Sequence, residues 1–452
     1  MLIEDATLAD GRRCDVRISG ERIDAVAEAG TLDSDDEERI DAAGKRLLPG
    51  MIDVHVHFRE PGFSHKETWT TGSKSAAAGG VTTVVDQPNT DPPTVDGPGY
   101  DEKAEYADQS LVDYGINGGV TAEWKPDDLF ERDLFALGEV FLADSTGDMG
   151  IDGQLFTDAL ERAIDADTTV TVHAEDATLF NDSARDRTDA DAWSAYRTAR
   201  AEEEAVRRAC ALAEQRDAQI HIAHTSTPEG IDIAAETGMT CEVTPHHLFL
   251  SRSDLDDLGT HGRMNPPLRR ERRRQQVYDR VADGTVDMIA TDHAPHTAAE
   301  KDADIWSAPS GVPGVETVLP LLLVEAAEGR LSFERVRDLT ATSPADVFDL
   351  PDRGRVEAGN YADLVLVDPD DIEPIRAEDL HSKCEWTPFE GWDGIFPEWT
   401  MLRGEMAYER ADDSFGEARG QNVRSADRAD QATGQSNETD SAAADPDTGG
   451  SE

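Results

Sequence analysis

The chain of 452 residues predicts an α/β fold: a closed (β/α)8 barrel, a small β domain formed from both chain ends, and a disordered acidic tail. Three observations predict it. Short β-rich runs alternate with helical patterns through the middle of the chain. Four of these runs end on a residue suited to holding a metal, at His55 and His57, His173, His224 and Asp292. Strand-type patterning then reappears at both ends, outside the alternating region.

Taken in order, residues 1 to 50 read as short strands with turn signals. Asp15 to Val26 forms a hairpin through Ser19-Gly20, and an acidic loop follows around Asp33 to Glu38. Barrel strands are expected near 51–57, 80–86, 113–119, 138–142, 168–173, 218–224, 240–244 and 286–291, with helices such as Ala199 to Glu214 and Val315 to Glu328 between them. Late β patterning, Tyr361 to Asp368 and Trp399 to Tyr408, pairs with the amino-terminal strands. The expected domains are therefore 1–50 with 345–410 as the small β domain, 51–344 as the barrel and 411–452 as the tail. From Ala411 onward the chain has almost no large apolar residue, so burial cannot offset its ordering entropy.

Composition excludes several classes. Lys+Arg 42 against Asp+Glu 95 gives a net charge of −53, and Lys occurs at only seven positions (45, 66, 74, 103, 125, 301 and 383). Acidity with lysine depletion fits a protein adapted to molar salt, where screening removes self-repulsion. Nucleic acid is excluded as a partner because phosphate contacts need clustered positive charge. The one basic run, Arg269 to Arg274, reads as an exposed helix start. Cys14, Cys210, Cys241 and Cys384 are too scattered for a disulfide framework and suit a reducing cytoplasm. No apolar run reaches the ~18 residues of a membrane span, so a soluble cytoplasmic protein is expected, with no membrane partner.

The chemistry centres on Asp53-Val54-His55-Val56-His57-Phe58-Arg59-Glu60-Pro61-Gly62. In an extended strand residues two apart share a face, so two imidazoles project together while Ile52, Val54 and Val56 face the other way. Thr168 to Val172 ends in His173, Gln219 to Ala223 in His224, and Met288 to Thr291 in Asp292. Imidazoles and a carboxylate converging from separate strand ends suit zinc or a similar divalent ion. His246, His247, His65, His221, His261 and His381 read as structural, packing or surface residues.

These motifs, with Gln87-Pro88-Asn89-Thr90, Glu242-Val243-Thr244-Pro245-His246-His247, Met264-Asn265-Pro266-Pro267 and Thr291-Asp292-His293-Ala294-Pro295-His296, resemble the cyclic amidohydrolase superfamily and, within it, the dihydroorotase family. The resemblance covers roughly residues 1 to 410. Arg59 and Asn265 are what separate it from allantoinase-like and hydantoinase-like relatives. It implies a small-molecule substrate, reversible cyclisation of N-carbamoyl-L-aspartate to L-dihydroorotate, and two divalent ions, zinc by donor type, that ionise a water for attack on the ring amide. His55, His57 and Asp292 would hold one ion and His173 and His224 the other, with Asp292 also the general acid and base. Arg59, Asn89 and His296 would meet the substrate carboxylate, Asn265 the ring amide edge, and backbone near Ser310 and Gly311 would close the pocket. Many relatives bridge the ions with a carboxylated lysine, and here Glu139 stands in that place, in Glu139-Val140-Phe141-Leu142-Ala143-Asp144-Ser145-Thr146-Gly147. A glutamate is shorter, so bridging needs the backbone to come inward; otherwise one site alone is filled, or Asp144 bridges instead. A non-catalytic scaffold is the rival from another class, and a homo-oligomer is compatible with the sequence.

Overall fold

Apolar residues alternating along the first fifty positions make half-buried strands, and these find their partners at the far end of the chain. A computed structural model describes residues 1–32, 37–142 and 149–425. Strands β1 (Leu2–Thr7), β2 (Arg13–Ser19), β3 (Arg22–Glu28), β4 (Arg39–Asp41) and β5 (Arg46–Pro49) open the chain. Eight parallel strands follow: β6 (Met51–Val56), β7 (Val81–Asp86), β8 (Asp113–Ile116), β9 (Leu137–Leu142), β10 (Val170–Ala174), β11 (Ile220–Ile222), β12 (Thr240–Val243) and β13 (Met288–Ile289). After them come β14 (Leu364–Val367), the short pair β15 (Glu373–Pro374) and β16 (Asp393–Gly394), then β17 (Pro397–Leu402), β18 (Glu405–Glu409) and β19 (Ser414–Phe415).

The two ends form one sheet, ordered β19-β18-β17-β14-β5-β1-β2-β3 with β4 beside β1. Its seam is the antiparallel pairing of β5 with β14, Leu48 opposite Val365. Ile3, Val16, Leu47, Leu364, Leu366 and Met401 make its core. The barrel comprises the arcs β6-β7-β8 and β9-β10-β11-β12-β13. Parallel bridges Gly118–Leu137 and Val56–His293 join the arcs at both seams and close the ring. Every residue of β6, β7 and β9 is buried, as expected for parallel strands covered on both faces. Gly50 marks the passage between the two units: a Cβ there would lie 2.2 Å from Thr82 Oγ1.

Buried charge ties these units together. Asp113, at the start of β8, receives Arg353 Nη2 at 2.7 Å and the Arg403 guanidinium, while Arg353 Nη1 reaches Asp363 at 2.5 Å. Asp113 Oδ1 also accepts the Gln421 N–H at 2.8 Å, which corrects the expected start of the disordered tail. Residues 411–425 are folded: Val423 packs with Ile52 and Phe135, and Arg424 donates to Phe348 O at 2.7 Å. One buried valine and several backbone hydrogen bonds suffice to order a segment whose composition alone gives no such sign. Residues 426–452 lie outside the described residues. A second correction concerns the basic run. The helix begins at Glu271, and Arg269 is buried, bonded to Glu202 Oε2 at 3.0 Å and to Arg197 O at 2.7 Å.

Among the described residues all four cysteines are buried and free, and no helix is long and apolar enough to cross a membrane. The net charge of −53 leads to a physical expectation. Carboxylates repel over about 30 Å at 0.01 M salt but about 3 Å at 1 M. Raising KCl from 0.1 to 2 M should therefore lift the thermal midpoint by about 10 °C, which at about 2 cal/mol/K per residue corresponds to roughly 9 kcal/mol for a chain of this length. A midpoint flat across that range, followed by circular dichroism, would refute salt adaptation.

Candidate metal centre

Strand β6 ends at Val56, so His55 lies within the strand and His57 just past it. Their rings nevertheless stand side by side, centroids 5.3 Å apart. Beyond His57 the alternation stops. Asp86, at the end of β7 and paired with buried Lys103 at 2.6 Å, accepts the Phe58 N–H at 2.6 Å and turns the chain, and Arg59 has φ 68°. His224 (φ 34°) and Asp292 (φ 46°) also occupy left-handed backbone, which costs a non-glycine residue about 1–2 kcal/mol. Three of the expected site residues thus share a conformation that persists only where surrounding structure imposes it.

Partners fix which nitrogen of each ring faces inward. His55 Nδ1 donates to Glu242 Oε1 at 2.6 Å, which leaves Nε2 3.5 Å from Glu139 Oε2 and 3.6 Å from Asp292 Oδ1. His57 Nδ1 donates to Asn89 Oδ1 at 2.7 Å, and its Nε2 lies 3.0 Å from Asp292 Oδ1. His173 Nε2 faces Glu175 at 3.3 Å; its Nδ1 lies 2.9 Å from Glu139 Oε1 and 3.0 Å from His224 Nε2. His224 Nε2 is 2.5 Å from the same Glu139 oxygen. Glu139 therefore stands between the two histidine pairs, one oxygen toward each.

Its reach has a backbone cause. Leu137 is opposite Val170 but Val140 is opposite Val172, so β9 carries one extra residue at 138–139. Such a bulge redirects the side chain it displaces. Gln87 Oε1 holds the displaced Glu139 N–H at 2.9 Å. Asp144, the other bridging candidate, lies outside the described residues.

Two groups could hold an ion: His55, His57 and Glu139, and Glu139, His173 and His224. The fit is chemical as well as geometric. His55 Nε2 is fully buried with no hydrogen-bond partner among the described residues, an arrangement a metal would complete. Burial would discharge the His55 ring, but the Glu242 and Glu139 carboxylates outweigh it and hold its pKa well above the usual value. For Glu139, burial is outweighed by His224 and His55, which hold its carboxyl well below the usual range. The Asp292 carboxyl falls to about 2 despite burial, through His57, His55 and His224. The centre is thus a knot of carboxylates that demands positive charge.

Arg59, Asn89, Asn265, Ser310 and Gly311 line the same cavity as His57, Glu139, His173, His224 and Asp292. Asn89 gives its Oδ1 to His57, a contact that does not use its amide N–H groups. Asn265 Oδ1 accepts from Trp193 Nε1 at 3.0 Å. Gly311 (φ 133°) admits no side chain, since a Cβ would lie 2.5 Å from Ala294 O. His296 is placed differently: its Nε2 lies 2.9 Å from Ser310 O and it faces that backbone.

The supporting residues were not singled out from sequence. Glu242 joins His55, the His224 N–H (3.0 Å) and His221 (3.1 Å), so buried His221 belongs to this support. Asp53 accepts the Thr291 N–H at 3.0 Å and its hydroxyl at 2.6 Å, fixing the strand end before Asp292. Glu242, an acid inside a β-rich run, and Glu175, two residues after His173, carried the only available signal. His247 bonds Thr244 Oγ1 and Pro266 O, whereas neither His246 ring nitrogen has a partner among the described residues.

A model of the Amidohydrolase family matches residues 46–394. The dihydroorotase of Halobacterium salinarum is 64% identical over 94% of this chain and 99% of its own length. That of Methanosarcina mazei is 44% identical over 82% of this chain and 85% of its own. Among solved structures, the L-hydantoinase of Arthrobacter aurescens matches with TM-score 0.88 at 26% identity, across 93% of this chain and 98% of that one.

Proposed function

The chain belongs to the amidohydrolase family and, within it, to the dihydroorotases, and from that premise we propose that it interconverts N-carbamoyl-L-aspartate and L-dihydroorotate at this centre. Arg59 carries the reading: a buried guanidinium beside the histidine–carboxylate knot is a receptor for a ring carboxylate, which dihydroorotate has and a plain hydantoin need not. The fold-level likeness to hydantoinases supports a second reading, hydrolysis of a cyclic ureide without that carboxylate. Parallel assays of dihydroorotate and a 5-substituted hydantoin, before and after treatment with a chelator, distinguish them. Preference for the hydantoin would overturn the first reading.

His55, His57 and Asp292 would hold one divalent ion and His173 and His224 the second, with Glu139 shared; imidazole and carboxylate donors favour zinc. Bound there, such ions lower the pKa of water and polarise the amide carbonyl. The protein supplies the rest. Asp292 is anionic at neutral pH, so it takes the proton from the attacking water and returns it to the ring nitrogen as the C–N bond breaks. A carboxylate replaces the ring amide in the product, and the reverse direction retraces the same proton path. Glu242, Asn89 and Glu175 hold three of the imidazoles with their inward nitrogens on the centre. Arg59 and the Asn89 amide take the substrate carboxylate, and Asn265 and the Ser310–Gly311 backbone border the ring.

Arg59→Lys should raise KM for dihydroorotate about 10- to 100-fold, because one ammonium cannot reproduce a two-pronged guanidinium contact. Metal content should stay at the wild-type level, since no ligand changes. Unaltered steady-state kinetics across the substrate range would remove the carboxylate role from Arg59.

A further inference from the structure

We infer that Trp193 is a positioning residue for ring recognition: it commits the oxygen of the Asn265 carboxamide to the indole, so that Asn265 meets the ring as a hydrogen-bond donor to a carbonyl oxygen. The inference rests on the dihydroorotate reading and adds a residue to it. Asn265 lines the cavity with Arg59 and Asp292, whereas Trp193 is outside that lining, on the short helix Ala192–Tyr196. Trp193 Nε1 lies 3.0 Å from Asn265 Oδ1 and 3.1 Å from Met264 O, one N–H shared between two acceptors. An indole N–H only donates, so the carboxamide atom it meets has to be the oxygen. The opposite orientation would set N–H against N–H, and loss of the contact disfavours it by up to about tenfold. Among the described residues no group accepts from Asn265 Nδ2, so its two N–H bonds are the capacity left for a ligand. Dihydroorotate has two ring carbonyls flanking the imide N–H. The amide carbonyl is the one attacked, which leaves the urea carbonyl oxygen for Asn265.

The indole is itself immobilised. The Arg263 guanidinium lies over its face, 3.8 Å from the ring centre, and donates to Ile305 O at 2.9 Å. Trp306 and Tyr196 pack against it with centroids 5.8 and 5.7 Å away, and Trp306 Nε1 donates to Arg187 O at 2.8 Å. The segments that follow β10, precede Asn265 and precede Ser310 thus meet on one indole. Its single polar atom serves Met264 and Asn265 alone.

Trp193→Phe in the metal-loaded protein keeps an aromatic ring and removes the donor. KM for dihydroorotate should rise up to about tenfold, the worth of one oriented hydrogen bond, with kcat falling by less and metal content unchanged. Asn265→Ala should raise KM by at least as much. Adding Trp193→Phe to it should then cost nothing more, because the carboxamide on which the indole acts is gone. Should the phenylalanine variant fold poorly, 3-benzothienylalanine at position 193 replaces the N–H by sulfur at nearly constant shape and enters the same cycle. Unchanged KM without the donor would overturn the assignment. A penalty at position 193 that persists in full beside Asn265→Ala would overturn it too, since it would mark a packing role. Wild-type protein that turns over a hydantoin but not dihydroorotate would instead overturn the reaction. The cycle run on the hydantoin, whose ring has the same urea carbonyl, then decides the role of Trp193 by itself.

Discussion

Asp292→Asn is expected to lower kcat for dihydroorotate hydrolysis by about 10³-fold, within the range that a positioned acid–base group contributes. The carboxylate lies 3.0 Å from His57 Nε2 and borders the cavity that also holds Arg59 and Asn265. An amide fills the same volume but cannot take a proton from water, and its N–H₂ would face His57 as a donor. Because Asp292 is also offered as a ligand, the loss must be measured at matched metal content, with metals counted by plasma emission. Activity within tenfold of wild type at equal occupancy would move the proton-transfer role to another group. The reverse reaction should fall in parallel, since one carboxyl serves both directions.

Glu139→Gln should weaken metal binding by about 10²-fold or more, the scale expected when one partner of a buried charged set is removed. Glu139 lies within 3.5 Å of three inward imidazole nitrogens, so its replacement leaves both histidine pairs without their shared anion. The expected readout is fewer than two ions per chain at limiting metal. Wild-type activity should also be indifferent to bicarbonate, because no lysine needs carboxylation. Asp144→Asn provides the contrast. Full occupancy in the Glu139 variant with loss in the Asp144 variant would transfer the bridge to Asp144.

Parallel strands buried on both faces are written as short continuous apolar runs, and such runs locate themselves: the run expected at 80–86 is β7 at Val81–Asp86, and the helix expected at Ala199 to Glu214 spans those residues. The two-residue spacing of His55 and His57 likewise survives in their adjacent rings, because local geometry alone decides it. Charge is local in the same sense, and the acidic surface follows from counting.

Local patterning along the chain therefore carries the alternation of elements, their approximate limits, and which residues bring donors to strand ends. Which donors meet was decided by closure of the barrel. Glu242 reaches His55 across 187 residues and Lys66 reaches His296 across 230. The bulge that carries Glu139 inward exists only as a register between β9 and β10. Arg269 was hidden in a basic run because its acid partner, Glu202, sits 67 positions away. Hydrogen bonds act over about 3 Å and in fixed directions, so their partners are set by where the backbone brings two groups together, and spacing along the chain does not encode that.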